Sequence, residues 1–290
     1  MVPLLARNST MMLYGRPGLG KTTLAMQLGL AVASGSADWL GFPIRRPGPV
    51  VWLQLDMPRP ELAMMLTRAL ARCPAARAQT HFLRLFDHTG EEMWTIDVLR
   101  DNISALKSVV RAIEPALFLI DTVADVYKLA PHDDLNQQVR EVVRKLREIA
   151  PSAGIVYLQH QRKRPAGAPG DDPDSYLGGM AWAAMASSVL QLNRHTKRVT
   201  DEEDGEETFE ISYDLAIRKM RLAEVPCEHL KLTKEADGFF GALWKAPAAL
   251  HMAPHLVPAS TPQKDVLAAL ARHFAIAPET LRKALQRERG

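Results

Sequence analysis

The chain has 290 residues, 47% of them hydrophobic and 24% charged, which suits one large α/β domain with a small appendage and excludes a disordered or fibrous chain. A formal charge of +3 supplies no global field, so any nucleic-acid contact has to come from local basic loops. There is no apolar leader and no 18-residue apolar run, and Cys73 and Cys227 lack metal-ligand or redox spacing, so the expectation is a cytoplasmic protein with no membrane contact and with reduced, packed cysteines.

Residues 1–9 lead into Met11-Met12-Leu13-Tyr14, an apolar run that predicts a buried strand. Next comes Gly15-Arg16-Pro17-Gly18-Leu19-Gly20-Lys21-Thr22, which fits the phosphate-loop pattern G-x-x-x-x-G-K-[ST]. Leu24, Ala25, Leu28, Leu30, Ala31 and Val32 then recur at helical spacing and predict an amphipathic helix over 21–33 that ends near Gly35. After a loop rich in Gly, Pro and Arg, residues 50–55 read as a buried strand ending in Asp56. Pro58 and Pro60 open a helix whose apolar stripe is Leu62, Met65, Leu66 and Leu70. A strand over 81–86 and a helix over 96–113 follow, the helix carrying Leu99, Ile103, Leu106 and Val110 on one face. Residues 116–120 form another strand, closed by Asp121-Thr122, and a polar loop over 127–136 leads into a helix over 136–149. A strand over 154–158 then ends at Gln159-His160. This strand–helix alternation predicts an α/β fold with a parallel sheet flanked by helices on both faces.

Residues 162–176 are a long loop without apolar periodicity. Strands are expected over 189–193 and 209–218, on either side of the acidic run 201–207, and a last hairpin over 228–244 turns near Asp237-Gly238. Residues 246–261, rich in Pro and Ala, read as a linker between a nucleotide-binding domain over 1–245 and a small helical segment over 262–290. That segment holds two short amphipathic helices of helix-turn-helix or winged-helix size, with six basic against three acidic side chains. Contact with DNA or a partner, and simple packing in an assembly, are both open for it.

A strand, a glycine loop and a helix N-terminus aim backbone N–H groups and a positive dipole end at one point, where a polyphosphate belongs. Gly15, Arg16, Pro17, Gly18, Leu19, Gly20, Lys21, Thr22 and Thr23 are therefore the candidate nucleotide-binding residues. Lys21 would reach the β/γ-phosphates of ATP, and the Thr22 hydroxyl and Asp121 would hold Mg²⁺. Hydrolysis also needs a group that orients or deprotonates water. Asp56 is the candidate base, on a strand expected beside that of the phosphate loop; Glu61 is its alternative, and Asp56 could instead be a helix N-cap.

Gly15 to Thr22 with Thr23-Leu24-Ala25, followed by Leu55-Asp56-Met57-Pro58 and Glu61-Leu62-Ala63-Met64, resembles the ATPase domain of DnaB-type replicative helicases in the RecA-like superfamily. The single-domain plasmid-replication helicases of the RepA type are equally similar. The resemblance implies a RecA-like core in which Asp56 stands where the family has a catalytic carboxylate, normally the one-methylene-longer Glu. Leu119-Ile120-Asp121 resembles the Walker B strand, and His160 takes the position of a γ-phosphate sensor. Ile217-Arg218-Lys219-Met220-Arg221 resembles the K-x-R element, so Lys219 and Arg221 are candidate fingers toward a neighbouring subunit's γ-phosphate. The residues after it, Leu222-Ala223, replace the family's usual Gly.

The family implies a homo-oligomeric ring, usually a hexamer, with single-stranded DNA in its pore and a replication or loader protein as partner. Two loops would face that pore, one carrying Lys128 and one carrying Arg162, Lys163 and Arg164. Asp171, Asp172 and Asp174 offset the basic charge of the second loop, so a solvated loop is its alternative. The function expected is an ATP-driven motor on single-stranded DNA of the replicative-helicase type. The rivals are a RecA-like ATPase without processive unwinding, such as a recombinase or loader, and a nucleotide-gated DNA-binding regulator.

Overall fold

This computed structural model describes residues 4–54, 57–83, 103–123, 134–161, 181–200 and 207–289. The strands in chain order are β1 (Thr10–Gly15), the small hairpin β2 (Asp38–Trp39) and β3 (Phe42–Pro43), β4 (Val50–Gln54), β5 (Thr80–Leu83), β6 (Leu117–Asp121), β7 (Gly154–His160), β8 (Ser188–Thr200), β9 (Glu207–Met220), β10 (His229–Lys234) and β11 (Phe240–Leu243). All but the small hairpin form one sheet, ordered β5–β4–β6–β7–β1–β8–β9–β10–β11. Its pairings are parallel from β5 to β8 and antiparallel from β8 to β11.

Every residue of β1, β4 and β6 is buried, as expected of strands covered on both faces. Side chains alternate between two cores. Met11 and Leu13 join the one under α1 (Lys21–Ser34) and α2 (Arg59–Arg72). Met12 and Tyr14 join the other, under α3 (Ile103–Ile113), α4 (Leu135–Ile149) and α5 (Ala181–Met185). The parallel α/β architecture is thus as expected. The expected starts and ends at residues 55–56, 84–86 and 96–102, Leu99 included, lie outside the described residues.

Helix α1 departs from the amphipathic expectation. Leu24, Ala25, Met26, Leu28, Leu30, Val32 and Ala33 are all buried, so no single wet face remains. The sheet covers one side, while α2 and a 3₁₀ turn at Pro74–Gln79 cover others. An apolar helix enclosed on several sides loses its polar stripe. By contrast, α4 starts where the Asp134 carboxylate accepts from the backbone N–H of Asn136 at 2.9 Å and of Gln137 at 3.4 Å.

Residues 246–261, expected as a linker, contain two short helices, α6 (Ala246–His251) and α7 (Ala253–Leu256). Alanine, read as linker composition, is the best helix former, and Ala246, Ala248, Ala249 and Met252 lie buried. The expected terminal helices are α8 (Gln263–Phe274) and α9 (Pro278–Arg289). Their Leu270, Phe274, Leu281 and Ala284 pack into the core that holds α1. The Phe274 ring lies 4.7 Å from that of Trp244, whose Nε1 donates to the Leu40 carbonyl at 2.7 Å. His273 Nε2 sits 2.9 Å from the Gly41 carbonyl, so α8 is fastened to the β2–β3 hairpin.

Strands β8 and β9 are longer than the sequence suggests. Their pairing runs from Ser188 and Met220 out to Thr200 and Glu207, far past Leu192, where the pairing with β1 stops. On β8 the extension (Asn193 to Lys197) is polar and carries no core signal, while on β9 it leaves Phe209 65% and Ile211 53% exposed. Among the described residues no helix is long and apolar enough to cross a membrane.

Truncating Phe274 to Ala removes a buried ring between the hairpin and α8. The expected cost is about 3–5 kcal/mol, read by urea unfolding. Exposed Arg272→Ala on the same helix is expected to stay within about 0.5 kcal/mol.

Candidate nucleotide-binding site

Four strand ends, those of β1, β7, β6 and β4, meet at one edge of the sheet, and β8 runs on past them. Gly15 at the end of β1 is level with His160 of β7 on one side and with Leu192 of β8 on the other. On β6 and β4, Asp121 is level with Gln54. In an open parallel sheet this carboxyl edge is where ligands bind.

The loop between β1 and α1 is shaped for close approach. Gly20 caps α1 in the left-handed region at φ 104°, and a side chain there would meet the Phe240 ring at 3.0 Å. A Cβ at Gly15 would lie 2.6 Å from the Leu192 carbonyl oxygen. No side chain caps α1, and its first turn holds no acidic residue. The N–H groups of Lys21, Thr22 and Thr23 therefore open the helix with its positive end uncapped, an arrangement suited to an anion.

Lys21 is 5% exposed, and its ammonium donates to the carbonyls of Gly15 at 3.1 Å and Arg16 at 3.0 Å. It also lies 3.3 Å from His160 Nδ1. An ammonium has only donors, so that ring nitrogen is the acceptor and the proton of a neutral His160 sits on Nε2. Asp121 is 1% exposed, and the Gln54 side-chain amide donates to its carboxylate at 3.4 Å. The Gln54 oxygen in turn accepts from the Met57 N–H at 3.0 Å, which ties the start of the β4–α2 connection to Asp121. These groups fit Mg²⁺-ATP: an uncapped helix start and a buried cation for the phosphates, a hydroxyl at Thr22 and a buried carboxylate for the metal. Among the described residues no group of His, Cys, Asp and Glu could hold a metal by itself. Mg²⁺ does not need one, since it binds through one or two protein oxygens plus phosphates and water. When bound, it would neutralise charge developing on the transferring phosphoryl group.

Asp56 lies outside the described residues, as do Lys128, Arg162, Lys163 and Arg164. The strand before Asp56 is not a neighbour of the phosphate-loop strand: β4 pairs with β5 and β6, and β6 and β7 stand between it and β1. At about 4.8 Å per strand, β4 runs roughly 14 Å from β1. The expectation failed because strand periodicity carries no information on lateral order. Glu61 is exposed in the first turn of α2.

Lys219 and Arg221 do not join the other candidates. Lys219 is level with Val189 and Met220 with Ser188, at the edge of the sheet opposite the phosphate loop. There the Lys219 ammonium donates to the carbonyls of Ala183 at 2.6 Å and Ala184 at 3.1 Å, and Arg221 donates to Ala184 at 3.2 Å. These are late carbonyls of α5, a favourable place for cations. Burial, and then the charge of Arg221, lower the Lys219 pKa from its ordinary value.

Two side chains at the nucleotide edge were missed. Gln54 was read only as part of an apolar strand, although a buried amide at a strand end is itself a signal. Lys234, on the last hairpin, was not singled out. Its ammonium lies 5.3 Å from the Tyr213 ring centroid and 5.6 Å from that of Phe240, within 3.9 Å of where a Gly20 Cβ would stand. Only the folded hairpin brings this charge to the loop.

A model of the AAA domain family matches residues 1–166, more than half of the 290-residue chain. The chain belongs to the AAA domain family. Among solved structures it is similar to a KaiC-like protein from the hyperthermophilic archaeon Pyrococcus horikoshii, with 16% identity, a TM-score of 0.53, and coverage of 82% of this chain and 93% of that one. At that identity the likeness establishes the fold, which is RecA-like. No curated protein matches the chain. The AAA family match and the RecA-like fold agree with the site's geometry in making this a P-loop ATPase.

Lys21→Ala is expected to abolish ATP hydrolysis and weaken nucleotide binding without unfolding the domain, because it removes a charge worth several kcal/mol at the transferring phosphate. Lys234→Ala is expected to raise the ATP Kd about threefold, the worth of one exposed charge pair, and to leave turnover at saturation unchanged. Titration calorimetry and steady-state kinetics on both variants check this contrast.

Proposed function

We propose that this AAA-family ATPase is a motor on single-stranded DNA, a hexameric ring of the DnaB or RepA replicative-helicase type. The observation that carries the reading is the separation of the two sets of candidate residues on one sheet. Leu192 is level with Gly15, whereas Val189 and Ser188 are level with Lys219 and Met220. Three to four residues along a strand amount to roughly 10–13 Å, and β9 is a further strand away from β1. A lysine and an arginine at that edge do not reach their own chain's phosphates. They suit the nucleotide of a subunit packed against that edge, where Arg would recognise a γ-phosphate with its fork of donors.

In this reading Lys21 and the α1 N-terminus hold the triphosphate, Thr22 and Asp121 hold Mg²⁺, and Asp56 orients the attacking water. His160, in contact with Lys21, reports whether the γ-phosphate is present. Arg221 and Lys219 reach it from the neighbour, so nucleotide both fuels and fastens the ring. The basic loops with Lys128 and with Arg162, Lys163 and Arg164 then face single-stranded DNA in the pore. Strand displacement on a forked duplex distinguishes this motor from an ATPase that does not unwind.

The interface is tested by mixing. Arg221→Ala protein is expected to bind ATP, hydrolyse it at least ~10²-fold more slowly, and assemble less well with nucleotide, as for loss of a transition-state donor. Mixed with Lys21→Ala protein, it regains part of the activity, because some interfaces pair an intact loop with an intact finger. Mixed rings without recovered activity would show that Arg221 does not act across subunits.

DNA contact is tested separately. Replacing Arg162, Lys163 and Arg164 with Ala is expected to lower the salt slope of single-stranded DNA binding by roughly 2, at about 0.7 per lost contact. An unchanged slope returns that loop to solvent.

A further inference from the structure

The last two helices form a unit that the motor reading does not use. Helix α8 ends at Phe274 and α9 begins at Pro278, so three residues, Ala275, Ile276 and Ala277, make the whole turn. Ala275 is left-handed at φ 52°, and its N–H and that of Ile276 both return to the Ala271 carbonyl. The Thr280 N–H, 3.0 Å from the Ala277 carbonyl, then starts α9. Leu270 and Phe274 before the turn and Leu281 and Ala284 after it are buried, with Ile276 packed between. A three-residue turn between two helices that share one apolar seam is the connection a helix-turn-helix uses.

The remaining side of α9 is open. Glu279, Thr280, Arg282, Lys283, Gln286 and Arg287 are all exposed. Beside it runs a groove of about 540 Å³ lined by Trp244, Lys245, Thr280, Lys283, Ala284 and Arg287, among others. No acidic side chain lines this groove, and among the described residues Lys245, Lys283 and Arg287 have no ion pair. Lys283 and Arg287 are one helical turn apart, about 6 Å along the axis. Among the described residues the one ion pair on this face, between Arg282 and Glu279, is exposed at both ends and so is exchanged cheaply for another partner.

We propose that α8 and α9 form a helix-turn-helix that binds duplex DNA, with α9 in the major groove. Arg282 and Gln286 present donors and an acceptor to base edges, the chemistry that reads guanine and adenine. Lys245, Lys283 and Arg287 line a channel for one phosphate backbone and fix the register of the helix on the duplex. An acidic protein segment is the competing occupant. The helix-turn-helix framework and the base-reading side chains beside the groove favour DNA. Duplex binding by this element is independent of nucleotide and of single-stranded DNA in a pore.

The test uses the full chain without nucleotide and a pool of short duplexes with a randomised centre, followed by anisotropy on the enriched sequences. Wild-type protein, and Lys21→Ala protein alike, is expected to enrich one sequence class. Arg282→Ala with Gln286→Ala is expected to reduce preference for that class about tenfold or more, while retaining the salt dependence. Lys245→Ala, Lys283→Ala and Arg287→Ala together are expected to lower the log–log salt slope by about 2.7, at about 0.9 per phosphate contact. If the triple variant fails to fold, Arg287→Ala alone decides, with an expected drop of about 0.9. Failure of the wild type to enrich any sequence, or an unchanged slope in the variants, overturns the proposal. Loss of self-assembly with duplex affinity intact also overturns it and makes the groove a protein interface.

Discussion

A buried ammonium governs the nucleotide edge. Lys21 is almost fully enclosed, and its charge rests on two loop carbonyls and one imidazole nitrogen. Burying a charge is costly unless it is held by partners of this kind. The loop that holds it exists because β1 ends level with β7 and β8, so the chain has to turn sharply between two occupied strands. The left-handed Gly20, the uncapped start of α1 and the contact of His160 with Lys21 all follow from that crowding. A polyphosphate at this loop would meet a lysine already positioned by the fold.

Much of this was legible from residue order. The phosphate loop announces itself through glycine spacing, and Asp121 through an apolar strand that ends in a carboxylate. The strand–helix alternation gave the parallel sheet, since each period of apolar residues marks a local event. What stayed hidden was lateral. Nothing local tells β4 that β6 and β7 will stand between it and β1, or Lys234 that its hairpin will fold back on Gly20. Helix α1 shows the same limit from another side: its apolar periodicity was visible, but enclosure by α2 and the 3₁₀ turn was not. In residues 246–261, Pro and Ala suggested a spacer, and packing against the last two helices gave the same alanines a buried helical place.

The sheet also separates chemistry by edge. At the carboxyl edge lie a buried lysine, a buried aspartate and their amide and imidazole neighbours. At the other lie Lys219 and Arg221, seated on the last carbonyls of α5. Helix α5 is only five residues long, so its end carbonyls have few intrahelical partners and accept from the two cations instead. The cations are thus held in place by the chain itself.

The long β8–β9 pairing gives this arrangement a mechanical side. Strand β9 passes without a break from the exposed Phe209 and Ile211, through Leu215 and Ile217 in the core, to Lys219. Ten residues of extended backbone span about 33 Å and hardly stretch. One strand therefore joins the exposed ribbon to the cation pair, anchored at its middle in the core and bent by the register shift between Ile217 and Lys219. The two exposed apolar side chains and the far edge of the sheet thus belong to a single run of backbone.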